Sequence, residues 1–259
     1  MIHFHFAEQH PGSSLIHRLD PRIKIVGGVL FVASATILPA GSWIEFATLF
    51  CATLVVARLT GLGIAYALKR SFVALPFALA AITLPFTVPG NPLYEFGGLT
   101  ITDVGTIRFL SILVKSWVSV QIAILLTATT PFHDLLWALR ELRVPRPLVS
   151  IVGFMYRYLF VLADEAARIM RARAARAAEG PRRSGGRLVW RGRVAGGMVG
   201  SLMLRAFERS ERIYAAMVAR GFNGDILSLS PPQMTDDDRN ALVIWVTFLA
   251  LVVLIAFIF

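Results

Sequence analysis

Two short motifs, Ala175-Arg176-Ala177 and Ala219-Arg220-Gly221, each set an arginine between small residues, 44 positions apart. Both lie in a stretch, 140–220, that holds 17 Arg and no Lys against 6 acidic residues, a net of +11. The remaining 178 residues carry 9 basic and 10 acidic side chains, so the formal charge of +10 lives in this one stretch. A guanidinium is planar and presents paired donors to a carboxylate or phosphate, which an ammonium does not. Small neighbours let a partner approach closely around it. The pattern therefore points to docking on an acidic surface. The blander reading stays beside it, because an arginine in a last helical turn complements the helix dipole, and a glycine after it is a common helix stop. A basic face near a membrane also attracts anionic lipid. Nucleic acid is not expected as a partner, since the basic stretch lacks aromatic interleaving and any RNA-binding signature.

These arginines sit among segments that belong in a membrane. The chain is 56 % hydrophobic over 259 residues, with a mean hydropathy of +0.66, too apolar for an ordinary soluble domain. Ala241–Phe259 runs nineteen residues without a charge, long enough to cross a bilayer. Four earlier segments, Ile23–Leu38, Trp43–Ala57, Ser71–Val88 and Phe109–Thr129, are shorter or carry polar residues, and tilt or a partly re-entrant hairpin is expected among them. Loop charge alternates along the chain. Arg18, Arg22 and Lys24 precede the first span, and Arg58, Lys69 and Arg70 follow the second. The 89–106 loop has Glu95 and Asp103 but no basic residue. The positive-inside rule then places the N-terminus and residues 130–240 in the cytoplasm and the 89–106 loop outside. The expected architecture is an all-α integral membrane protein with about five transmembrane helices and a helical cytoplasmic coupling domain. Its parts are a cytoplasmic N-terminal segment (1–22), four spans (23–129), the coupling domain (130–239) and a last span (240–259).

Within the coupling domain, Pro131–Leu142 is amphipathic, Pro145 and Pro147 break the chain, and Leu148–Glu179 reads as one long helix with Asp164 and Arg168 at i,i+4. Pro181–Gly186 breaks it again. Val194–Arg220 reads as a second helix, with Leu202, Ala206, Ile213 and Met217 forming an apolar stripe that Phe207 and Tyr214 widen. Cys51 is expected as a small buried filler. Lys115, Gln121 and Glu45, polar residues in the spans, are expected to face neighbouring helices or snorkel rather than line a pathway.

The chain offers no chemistry of its own. It has no phosphate-binding Gly-x-x-x-x-Gly-Lys loop, no Gly-x-Ser-x-Gly, no His-Glu-x-x-His and no cysteine cluster. His3, His5, His10 and His17 crowd the N-terminus, but a tail without fixed geometry is a poor metal site, and no metal is expected on this chain.

Several segments together resemble the transmembrane (T) components of energy-coupling factor (ECF) transporters. They are Leu19-Asp20-Pro21-Arg22-Ile23-Lys24, Thr129-Thr130-Pro131-Phe132, Leu135–Leu139, Arg143-Val144-Pro145, Met155-Tyr156-Arg157-Tyr158, Arg171–Arg176 and Ala215–Gly221. They follow the family order from about residue 15 to 225, and the wording around Phe154–Arg176 and Ser201–Gly224 is most similar to the cobalt-type, CbiQ-like member. The resemblance implies a non-catalytic multi-pass subunit of the bacterial inner membrane. Its partners would be two ATP-binding cassette ATPases carrying ATP and Mg²⁺, a substrate-binding membrane subunit, and the surrounding lipids. Ala175, Arg176, Ala177, Ala219, Arg220 and Gly221 would dock the ATPases, and Asp20, Pro21 and Arg22 form the N-terminal motif. Where the first motif commonly ends in Gly the chain has Ala177, which leaves Arg173 as an alternative first docking arginine. Cobalt is the first expected cargo, nickel the next, and biotin or another vitamin behind. Two other classes stay open, an ordinary importer permease that binds substrate itself and a membrane-anchored enzyme or lipid-binding protein.

Overall fold

A computed structural model describes residues 14–96, 99–176, 188–224 and 234–258. Helix α1 (Leu15–Arg18) is a single turn, after which Asp20 starts α2 (Pro21–Ile37) by accepting the Arg22 backbone N–H at 2.8 Å, with Pro21 at the first helical position. Then come α3 (Trp43–Leu59), α4 (Ile64–Arg70), a 3₁₀ turn (Ser71–Ala74), α5 (Leu75–Ala81) and α6 (Leu84–Thr87). The expected third span, Ser71–Val88, is therefore not one helix. Pro76 and Pro85 open new helices instead of continuing old ones, and Ile64–Ala74 and Leu79–Thr87 meet at a 47° bend.

The 89–106 loop carries a feature that the sequence reading lacked, a hairpin of β1 (Pro92–Phe96) and β2 (Leu99–Thr102). Its last residue, Thr102, caps α7 (Asp103–Thr129) by accepting the Gly105 N–H at 3.2 Å, so this helix begins six residues before the expected Phe109. A Cβ on Gly105 would sit 2.6 Å from the Leu84 carbonyl oxygen, which fixes how closely α6 meets α7. The remaining helices are α8 (Phe132–Glu141), α9 (Arg146–Arg176), α10 (Leu188–Ala219) and α11 (Asp236–Ile258). Helices α9 and α10 each begin earlier than expected from Leu148 and Val194. The expected extension of α9 to Glu179 and the break at Pro181–Gly186 lie outside the described residues.

Contacts divide the chain into two compact units, one reaching to Leu142 and taking in α11, the other beginning at Arg143. In the first, Phe31, Leu38, Phe46, Leu49, Val118, Ile122, Leu249 and Val252 form one core from α2, α3, α7 and α11. Helix directions follow from paired contacts. The Asp20 N–H donates to Asp238 Oδ1 at 3.1 Å, and seven residues further along both helices Trp245 Nε1 donates to the Gly27 carbonyl at 3.2 Å. Helices α2 and α11 thus run parallel and in register. Thr53 Oγ1 donates to Gln121 Oε1 at 2.7 Å, and Ala57 meets Leu125 one turn on, so α3 and α7 are also parallel. Lys24 reaches the Thr129 carbonyl while Lys115 reaches those of Thr36 and Leu38, which sets α2 antiparallel to α7.

Lys115 and Gln121 accordingly serve packing. The ammonium satisfies carbonyls at the end of α2, and the amide oxygen accepts from a hydroxyl, while the amide nitrogen is buried without a hydrogen-bond partner. Glu45 lies in the first turn of α3, where a negative charge complements the helix dipole. Cys51 corrects the expectation of a buried filler. Helix α3 buries Phe46, Leu49, Thr53 and Ala57, and Cys51 lies off that stripe and is exposed. By length and composition α7, α9 and α11 can each cross a membrane, and a fourth span results if the bent pair counts as one. Helices α2 and α3, at 17 residues each, reach the lower limit of about 17 that a spanning helix needs. The protein is an all-α integral membrane protein.

Candidate coupling site

Both arginine motifs belong to the unit built from α9 and α10. Ser150 Oγ donates to the Gly224 carbonyl, Phe154 packs edge-on against Phe222, and at the other end Arg173 lies over the Trp190 ring at 5.6 Å. The two helices therefore run antiparallel. At 32 residues α10 is roughly 48 Å long. Arg176 stands at the α9 terminus, close to the start of α10, whereas Arg220 stands at the far end of α10. The geometry separates the two motifs by most of a helix length.

Each motif is held differently. After α10 the Phe222 N–H returns to the Met217 carbonyl at 3.0 Å and the Gly221 N–H to the Val218 carbonyl at 2.9 Å, with Gly221 at φ +83°. This is the Schellman arrangement, and it makes Arg220 the C-cap, its carbonyl-rich surroundings favouring a cation. Arg220, Ala219 and Gly221 are exposed. At the first motif Ala175 and Arg176 are exposed while Arg173, one turn earlier, is half-buried against Trp190. Ala177 lies outside the described residues.

Between the two ends the helices are pinned by Glu165, a buried acid on α9. Its Oε1 accepts from Arg205 of α10 at 2.8 Å, and its Oε2 lies 3.6 Å from Arg168. Arg168 thus pairs with Glu165 at i,i+3, not with Asp164 at i,i+4 as its spacing had led one to expect. Leu202, Ala206, Ile213 and Met217 are half-buried, as the stripe requires, but Phe207 and Tyr214 are exposed and do not widen it inward. The contacts of Glu165, Arg205 and Trp190 were missed from sequence. An acid followed by Ala166 and Ala167 in an arginine-rich helix was the available signal.

The N-terminal motif lies in the membrane unit and acts as a knot. Asp20 is buried and caps α2. Arg22 lies 3.7 Å from Glu141 and stacks at 4.3 Å over Trp137, both on α8. Lys24 donates to the His17 carbonyl at 3.1 Å. Asp238 completes the knot from α11, held by a capping box in which Thr235 Oγ1 donates to its carboxylate at 2.7 Å. That Thr-x-x-Asp spacing was readable in the sequence and was overlooked. His17 bonds Ser14 through its Nδ1 at 2.6 Å, while His3, His5 and His10 lie outside the described residues. Among the described residues no group of three or more His, Cys, Asp or Glu side chains could hold a metal ion.

The family described as cobalt transport protein, CbiQ, matches residues 12–231. The chain belongs to the CbiQ family. Curated relatives agree with that placement. An energy-coupling factor transporter transmembrane protein, EcfT, of Brevibacillus brevis is 28 % identical over 94 % of this chain and 94 % of the relative. The EcfT of Lacticaseibacillus paracasei is 28 % identical over 83 % of each. The cobalt transport protein CbiQ of Rhodobacter capsulatus is 31 % identical over 59 % of this chain and 62 % of the relative. This CbiQ-family protein is thus an ECF-type T component, and its matched region takes in the Asp20–Arg22 motif and both arginine motifs.

Proposed function

We propose that this T component couples ATP hydrolysis by two partner ATPases to movement of a substrate-binding membrane subunit that imports cobalt. The observation that carries the reading is the placement of two exposed arginines, each flanked by alanine, at opposite ends of one antiparallel helix pair. A separation of tens of ångströms suits one arginine to each of two ATPases, and a single shared groove would not require it. The exposed Arg176 fits the first docking role better than Arg173, whose guanidinium is occupied by Trp190. Ala177 is small enough to keep the first motif open.

Helix directions support a cytoplasmic location for the coupling domain, 130–239. If α7 ends on the side where α11 begins, the intervening chain must cross the membrane an even number of times. Helix α9 is apolar enough to span and α10 is not among the spans by that measure, so parity favours neither crossing. The excess of arginine then puts this side in the cytoplasm of the bacterial inner membrane. Five spans follow, α2, α3, the bent α4–α6 segment, α7 and α11. The cobalt named for the family and for the Rhodobacter relative favours that cargo over nickel, biotin or another vitamin. ATP with Mg²⁺ would reside on the ATPases. Coupling requires that they contact the two arginines differently in their open and closed states.

The test is assembly. Arg176→Glu with Arg220→Glu should abolish co-purification of the ATPases and radiolabelled cobalt uptake at normal membrane levels. Arg182→Glu with Arg183→Glu, in the stretch outside the described residues, should leave both largely intact. Equal loss in the two pairs would reduce the site to generic basicity, and an intact Arg176/Arg220 variant would sink the docking mechanism.

A further inference from the structure

The groove between the end of α9 and the start of α10 holds more positive charge than ATPase docking uses. Arg168, Arg173, Arg176 and Arg205 surround a concavity of about 560 Å³, floored by Val194 and Met198. Three of the four are held in place from within the chain, Arg168 and Arg205 by Glu165 and Arg173 by Trp190. Glu165 offsets one charge, and a net of about three positive charges remains converging on one apolar-floored hollow. Guanidiniums pinned this way lose little freedom on meeting an anion, and their fork matches the oxygens of a phosphate.

The residues lining the hollow indicate where that anion comes from. Trp190, which lines it together with Ile169, Val194 and Met198, is 48 % exposed. Tryptophan with aliphatic side chains and arginine is the composition of a membrane-interface surface, with rings and methyls at the headgroup–acyl boundary and guanidiniums on phosphate. The geometry points to a binding site for the phosphate of an anionic phospholipid headgroup, formed by Arg168, Arg173, Arg176 and Arg205 with Trp190 at its rim. The site rests on the membrane reading above and shares only Arg176 with the proposed ATPase contacts.

The full chain, purified in detergent and offered phosphatidylglycerol or phosphatidylcholine, is read by native mass spectrometry for lipid retained. Phosphatidylglycerol should be preferred. Arg168→Gln with Arg205→Gln should cut that preference on the order of twenty-fold, taking about five-fold for each arginine near an anionic surface. Because this pair leaves Glu165 without partners, the triple variant that adds Glu165→Gln keeps the test sound if the double variant folds poorly. Glu165→Gln alone should raise retention several-fold, the reverse of what a merely structural role for Glu165 predicts. Unchanged preference in the triple variant would overturn the site. So would displacement of the lipid by dilute inorganic phosphate, which would mark a small-anion site, or its loss when the ATPases are added, which would assign the groove to their interface. Failure of the docking reading is separable, since it appears in ATPase co-purification of the Arg176/Arg220 variant and leaves the lipid ratios of the Arg168/Arg205 variant untouched.

Discussion

The two units solve opposite packing problems. Among the described residues, every large side chain that is fully buried, from Phe31 and Leu38 to Gln121 and Leu125, belongs to the membrane unit. Among the described residues the α9–α10 pair buries only Glu165 and Ala167 on α9, and it leaves Phe207 and Tyr214 more than half exposed. In the membrane unit polar atoms turn inward, where Thr53 donates to the Gln121 amide oxygen and Lys115 to the carbonyls at the end of α2, while Gln121 Nε2 and Thr130 Oγ1 are buried without a hydrogen-bond partner. In the helix pair a matched charge sits at the centre and unmatched charges and aromatics face outward. A region that is finished internally is a scaffold. A region whose apolar and cationic surface exceeds what its own fold consumes is built to be covered.

The comparison breaks most sharply at the two terminal arginines. Losing one side of a buried interfacial charge pair costs roughly 2–5 kcal/mol, so Arg176→Glu with Arg220→Glu should remove the ATPases while the melting temperature of the isolated chain stays near that of the parent. A large drop in melting temperature would show that the arginines serve the fold. Next is Phe31→Ala, expected to destabilise the chain by about 3–5 kcal/mol through a cavity in the core shared by α2, α3, α7 and α11. Phe207→Ala should change the isolated chain by less than about 0.5 kcal/mol, as exposed substitutions do. Similar melting shifts for these two would erase the contrast between the units.

Smaller effects sharpen the contrast. Gly221→Ala forces a Cβ into φ +83° and should cost about 1 kcal/mol in helix-end stability. Hydrogen exchange should show it as faster exchange at Gly221 and Phe222, with α2 and α7 unaffected. Thr53→Ala leaves the Gln121 amide oxygen without its hydroxyl donor and should cost about 0.6 kcal/mol, the mean for interhelical hydrogen bonds in membranes. Denaturation in mixed micelles is sensitive enough to register it. A cost above about 2 kcal/mol would place Gln121 in a larger polar network.

Helical spans and the long arginine-ended helices were legible because each rests on local chemistry. Apolar runs and a Gly after the last helical residue act within a few residues, whereas the start of α2 at Pro21, two residues before the expected Ile23, was not read. The third span was not legible in the same way. Its apolar composition says membrane, but Pro76 and Pro85 open new helices within it and the segment bends between Ala74 and Leu79. Cys51 was misplaced because a uniformly apolar helix carries no periodic signal for which face meets protein and which meets lipid. Glu165 was missed for a related reason. Its partner Arg205 lies 40 residues away, and among so many arginines nothing local singles it out.

The contacts that join α2 to α11 span 218 residues, at Asp20 with Asp238 and again at Gly27 with Trp245. A ribosome adding about 5–20 residues per second takes on the order of tens of seconds to make that interval. The first helix is therefore inserted long before its parallel neighbour exists, and the face around Gly27 must meet lipid until Trp245 arrives. The membrane unit closes only when the final helix slides in beside the first. Removing α11 would leave a protein arrested in that earlier state, with α2 held by α7 and α8 and a quality-control protease given time to act.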